Sequence, residues 1–163
     1  MWNSSRAGFT MIELIVVVAI TALIGAVTFL TLGRYRSGES VERSSEEIVA
    51  AIRSVQQRAI TQEEGQTWGI RFMNATSGAP FLGTQSYAVF RGTSFGAGTV
   101  ERMYALRSGV RFTDPTPSST KDLAFAAITG KPAAFFSITI TSPGTPPLTK
   151  QILVATSGAV SVQ

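Results

Sequence analysis

The sequence predicts an α+β chain in which one long N-terminal helix packs on an antiparallel β-sheet domain. Three observations carry this. Nineteen residues, Leu14 to Leu32, hold no charge. An apolar stripe at helical spacing follows from Val41 to Ala59, and no proline interrupts the chain before Pro80. From Thr67 onward the pattern changes to short alternating or β-branched runs separated by Gly, Pro and Ser.

Taken in order, residues Met1 to Gly8 are polar and carry one base, Arg6. From Phe9 to Leu32 only Thr10, Glu13, Thr21, Thr28 and Thr31 are not apolar. As a helix, Leu14–Leu32 is about 28 Å long, which matches a bilayer core of about 30 Å. A soluble helix of that length would show a polar face, and this one has none. Ala19, Ala22 and Ala26 either form a small-residue face for close helix packing or are simply apolar filler. Gly33 and the stretch Arg34 to Gly38 mark the exit from the apolar run. Beyond it, Val41, Ile48, Ile52, Val55 and Ala59 share one stripe, widened by Val49 and Ile60. Glu39–Arg43 and Arg43–Glu47 are i,i+4 pairs on the polar side. The simplest reading is one helix over 10–62, loosened near Gly33 and Gly38 and ended by Gly65. Residues 9–32 are then the membrane-spanning half, 33–66 the amphipathic continuation, and 67–163 a globular β-rich domain.

Eight strands are predicted there: Thr67–Met73, Ser86–Arg91, Val100–Leu106, Val110–Thr113, Leu123–Ile128, Ala134–Thr141, Leu148–Ala155 and Ala159–Val162. Pro143 to Pro147 reads as a hairpin turn and Ser157-Gly158 as a tighter one. Residues 74–83 and 115–120 read as surface loops.

Composition removes several kinds of chemistry. The chain has no cysteine, hence no disulfide framework or thiolate metal site. It has no histidine, which removes the commonest general base and metal ligand. Charged residues make up 15%, against about 25% in ordinary domains. The net charge of +4 is a weak pull toward nucleic acid or acidic surfaces.

Glu13 is the informative residue. A carboxylate in an apolar run is costly and needs a partner, yet no Lys or Arg lies between Arg6 and Arg34. Three readings of the N-terminus compete: a secretory signal peptide, a plain membrane anchor, and a leader cut near its junction with the apolar run. The apolar run is too long for the first, and Ile24-Gly25-Ala26 is a poor cleavage site. A cut after Gly8 would give Phe9 a free amine, largely cationic at neutral pH, one helical turn from Glu13. Glu13 also lies near the positive end of the helix dipole.

Gly8 to Ile20 (GFTMIELIVVVAI) resembles the N-terminal signature of type IV pilins and type II secretion pseudopilins. In that family a prepilin peptidase cuts after the glycine and N-methylates the new first residue. The resemblance implies that 1–8 is a cleaved prepilin leader, Gly8 and Phe9 flank the cut, Phe9 is methylated, and Glu13 pairs with a neighbouring subunit's amine during assembly. Ala7 stands where a Lys or Arg often precedes the glycine. The implied partners are the prepilin peptidase, other pilin or pseudopilin subunits and an inner-membrane assembly platform. Arg6 on one side and Arg34 and Arg36 on the other leave orientation open on charge alone. The resemblance places the N-terminus in the cytoplasm, with a single pass through the inner membrane and the C-terminal domain outside the cytoplasm. It implies no enzyme activity, cofactor or metal.

The order of the later strands is similar to one branch, the H-type minor pseudopilins (GspH/FimT-like). Leu123 to Gly130 and Ile152 to Val162 carry this likeness, with Trp68 to Phe72 and Tyr87 to Phe90 as the earlier strands. It implies a minor subunit of a type II secretion pseudopilus or a type IV pilus. A DNA-binding minor pilin for DNA uptake is the alternative, and it would use Arg91, Arg102, Arg107 and Arg111 if they share a face.

Other motifs look chemical. Gly92-Thr93-Ser94-Phe95-Gly96 fits a nucleophile elbow, which needs a strand–turn–helix context and a histidine. Ser118 to Lys121 fits S-x-x-K without its companion motifs. Asn74-Ala75-Thr76 is a glycosylation sequon. Asp114 and Asp122 are isolated and support no calcium loop.

Overall fold

The computed structural model describes residues 10–74, 85–142 and 146–163, with residues 29–37 described by backbone alone. The expected α+β architecture is found. Among the described residues a single helix, α1 (Met11–Ile60), is followed by a 3₁₀ turn (Glu63–Gly65) and eight strands. The chain divides into two units between Arg36 and Ser37.

In the first unit α1 is apolar, and every described side chain from Thr10 to Thr28 is exposed. In the second unit the helix supplies one wall of the core. Val41, Ile48, Ile52, Val55 and Ala59 are all buried there, as the spacing predicts. The helix runs through Gly33 and Gly38 without a break. It stops at Ile60, two residues before the expected end. The Ala59 carbonyl accepts the Ile128 N–H at 3.1 Å, and Gln62 adopts a left-handed conformation (φ 50). Helices end readily on such a residue, so the stop comes before Gly65.

The strands are β1 (Trp68–Met73), β2 (Ser86–Arg91), β3 (Thr99–Ala105), β4 (Arg111–Asp114), β5 (Thr120–Phe125), β6 (Phe136–Thr141), β7 (Thr149–Val154) and β8 (Val160–Val162). They form two antiparallel four-stranded sheets, ordered β3-β2-β1-β5 and β4-β6-β7-β8. The sequence reading placed them in one sheet. The chain changes sheet three times, between β3 and β4, between β4 and β5, and between β5 and β6. Pro115 and Pro117 lie in the second of these connections, where a residue without an N–H cannot extend a ladder.

Both sheets face one core. Trp68, Ile70, Phe72, Tyr87, Leu123 and Phe125 come from the first sheet, and Phe112, Ile138, Ile140, Ile152 and Val154 from the second. Phe72 is central, with ring centroids 5.9 Å from Phe112 and 5.7 Å from Phe136 across the sheets. The seam between the sheets is polar. Lys121 Nζ on β5 donates to Asp114 Oδ2 at 2.6 Å and to the Ser137 carbonyl at 3.1 Å.

Two expected surface features differ. β5 stops at Phe125, and residues 126–130 form a turn in which Ile128 has φ 69. Asn74, read as the start of a surface loop and as a sequon, is 1% exposed. Its Nδ2 donates to the Phe112 carbonyl at 3.0 Å and the Pro115 carbonyl at 2.6 Å, while its Oδ1 accepts from Gln85 Nε2 at 2.6 Å. A side chain so enclosed is no glycan acceptor. The rest of that expected loop, and residues 143–145 of the β6–β7 turn, lie outside the described residues. The Ser157-Gly158 turn forms as expected, with Gly158 at φ 90.

Candidate functional site

The first unit presents an apolar rod with one charge. Thr10 caps it: its Oγ1 accepts the Glu13 N–H at 3.3 Å. Thr10-x-x-Glu13 is the spacing of a capping box, in which a hydroxyl satisfies the third helical N–H and an acidic residue occupies that third position. The spacing is readable in the sequence, beside the charge argument, as a helix-start signal. It gives Glu13 a local reason to stand in the first turn, next to the helix dipole's positive end. Gly8 and Phe9 lie outside the described residues.

The remaining polar atoms of the rod are already satisfied. Thr21 Oγ1 donates to the Val17 and Val18 carbonyls at 2.9 Å, and Thr28 Oγ1 to the Ile24 carbonyl at 2.8 Å. Glu13 is therefore the one ionisable group from Met11 to Thr28. This stretch is long and apolar enough to cross a membrane, and none of it is buried by the chain itself. An uncovered apolar surface of that size marks contact with lipid or with another protein.

The second unit offers little competing chemistry. Gly92 to Gly96 lies in the connection from β2 to β3, between two strands and not between a strand and a helix. Phe95 of that loop packs edge-on against Phe90 at 5.6 Å and under the Arg71 guanidinium at 4.2 Å. Lys121, the base an S-x-x-K pair would need, is held by Asp114 in the seam. Asp122 is bonded to Arg71 at 2.5 Å, and this hydrogen bond raises the Arg71 pKa. No group of three or more metal-binding side chains occurs among the described residues. A cleft between α1 and β3, lined by Ser54, Arg58, Glu101 and Arg102 among others, holds about 170 Å³. Small-molecule sites are usually about 300–1,000 Å³.

The arginines do not gather on one face. Arg91 is tied to Glu64 and Glu101, the latter at 2.8 Å, and Arg107 is tied to Glu47 at 2.5 Å. Arg102 lies on β3 of the first sheet and Arg111 on β4 of the second. Arg91 and Arg107, two of the four, are thus neutralised within the chain.

Residues 3–29 match the prokaryotic N-terminal methylation motif. The motif supports a type IV pilin-like chain. It implies processing by a prepilin peptidase and assembly with other pilin subunits. It also fits a chain anchored by one membrane-spanning helix, and a structural role. No curated protein and no solved structure matches the chain.

Proposed function

We propose that the chain is a minor subunit of a pilin-type filament, most like the H-type minor pseudopilins, cut after Gly8 and N-methylated on Phe9. The carrying observation is Glu13: one carboxylate on the first turn of a helix that is otherwise uncharged and uncovered from Met11 to Thr28. Processing would place a cationic amine four residues before it, where no Lys or Arg stands. In the membrane Glu13 pairs with its own chain's amine or with head-group water. In the filament it pairs with a neighbour's amine, because an unpaired carboxylate among packed apolar helices costs several kcal/mol, about 3–5 when its partner is removed. Apolar contact supplies the cohesion and the charge pair sets the axial register. The apolar half of α1 forms the filament core, the sheets face outward, and the N-terminus lies on the cytoplasmic side of the inner membrane next to the assembly platform.

Intact mass after co-expression with the peptidase, together with recovery in sheared filaments, tests this. Wild type should lose residues 1–8 and gain a methyl group. Gly8→Phe should keep its full mass. Glu13→Ala should be cut normally and fall by at least about tenfold in filaments. Loss of the leader from Gly8→Phe, or normal recovery of Glu13→Ala, would sink the reading.

A further inference from the structure

The two sheets have four edge strands, β3, β5, β4 and β8. Three of them carry a feature that discourages a further strand. β8 has only three residues. On β4, the Phe112 N–H donates to Gln85 Oε1 and the Phe112 carbonyl accepts from Asn74 Nδ2. β5 carries Lys121, and Pro132 bridges it at Phe125. Brevity, capping and charge are the usual ways to blunt an edge. β3 differs. It has seven residues, Thr99 to Arg102 are exposed, and nothing among the described residues pairs with its outer edge. The Leu106 N–H donates to the Gln85 carbonyl at 2.9 Å. Bonded pairs alternate along an antiparallel ladder, so Tyr104 and Arg102 bond toward β2 while Met103 and Ala105 turn N–H and carbonyl outward.

The cleft between α1 and β3 lies on the helix side of this edge strand. A register shift leaves Glu101 without a partner on β2, so Glu101 and Arg102 both line the cleft, which neighbours on a regular strand could not do. Arg102 lies over the Tyr104 ring at 6.0 Å, and Arg58, from α1, over the Trp68 ring at 4.8 Å. Aromatic faces thus steady both guanidinium groups. Glu101 is already tied to Arg91 at 2.8 Å. Glu63 stands 3.6 Å from Arg58, too far for a hydrogen bond, and Arg102 has no ion pair among the described residues. The cleft's 170 Å³ is room for a side-chain head group and little more. We infer that the outer edge of β3 takes an extended segment of another protein as a fifth strand, with an Asp or Glu side chain of that segment seated in the cleft beside Arg58 and Arg102. Main-chain bonds to Met103 and Ala105 hold the segment, and the carboxylate selects it. A second copy's β3 would bring a further Arg102 to a cleft that already has two arginines, so the occupant is a different chain. The site lies wholly within the second unit and does not rest on the filament-subunit reading.

Binding of labelled peptides to the full chain in detergent tests this. The probes are acetylated, amidated Thr/Val octapeptides with one glutamate at each position in turn. At least one should bind and slow hydrogen exchange at the Met103 and Ala105 amides. Replacing its glutamate by glutamine, or changing the protein by Arg102→Gln, should weaken binding about tenfold. Methylating alternate peptide nitrogens should abolish it. Ala105→Pro removes an outward N–H that the ladder does not use, and should abolish binding at an unchanged thermal midpoint. Failure of every peptide in the set, equal binding of the glutamine peptide, or indifference to N-methylation would overturn the inference. In a chain without cysteine, disulfide-linked dimers through Met103→Cys alone would put a second copy on the edge and would overturn it too.

Discussion

Asn74 shows how much one enclosed amide can hold. It links the end of β1 to Phe112, Pro115 and Gln85, so it fixes both sheets and the turn between them. Asn74→Ala leaves two carbonyls and one amide without their partner, and should cost about 1–3 kcal/mol in chemical unfolding. A sequon pattern cannot reveal this, because the partners are 38 and 41 residues away in sequence. Glu13 stands out in the sequence by contrast, since its immediate neighbours carry no charge. Tyr87 gives a pH prediction. It is buried and stacks on Tyr104 at 5.0 Å. Burial, helped by Glu47, raises its pKa. The phenol ionises near pH 10 in the unfolded chain and higher in the folded one. Its contribution to stability is thus complete below about pH 10 and is lost as pH rises beyond that. Tyr87→Phe should flatten this alkaline decline in thermal midpoint measured from about pH 9 to 11.

Among the elements, β1 is an interior strand, paired on both edges. Gly69 marks its tightest point: a Cβ there would lie 2.5 Å from Phe90 Cζ and 2.9 Å from the Leu123 carbonyl oxygen. One neighbour is backbone and cannot turn away. Gly69→Ala should therefore destabilise by about 1–3 kcal/mol, seen as a lower urea midpoint at unchanged slope. All eight strands were readable from alternation, and the core stripe of α1 from its spacing, because burial on one face imposes both periods. What could not be read was the grouping of strands. Alternation says which face is apolar, not which strand is next door, and the three crossings between the sheets read in sequence only as loops. The end of β5 misled for a related reason. Ile128 has the composition of a strand, but its N–H is given to the Ala59 carbonyl at the end of α1 and not to a ladder.

For the whole molecule, every buried member of the core lies between Val41 and Val154. A chain beginning at Ser37 keeps all of it, so residues 37–163 should fold alone, with the near-ultraviolet circular dichroism and thermal midpoint of the full chain. A lower midpoint would show that the apolar rod contributes to the fold. The rod's own polar groups have a further consequence. The hydroxyls of Thr21 and Thr28 are turned back onto carbonyls of the preceding turn. Neither a fatty-acyl tail nor a packed isoleucine can replace those bonds, and neither is asked to. Such a segment can be withdrawn from oil and laid against its fellows without a single hydroxyl losing its acceptor on the way.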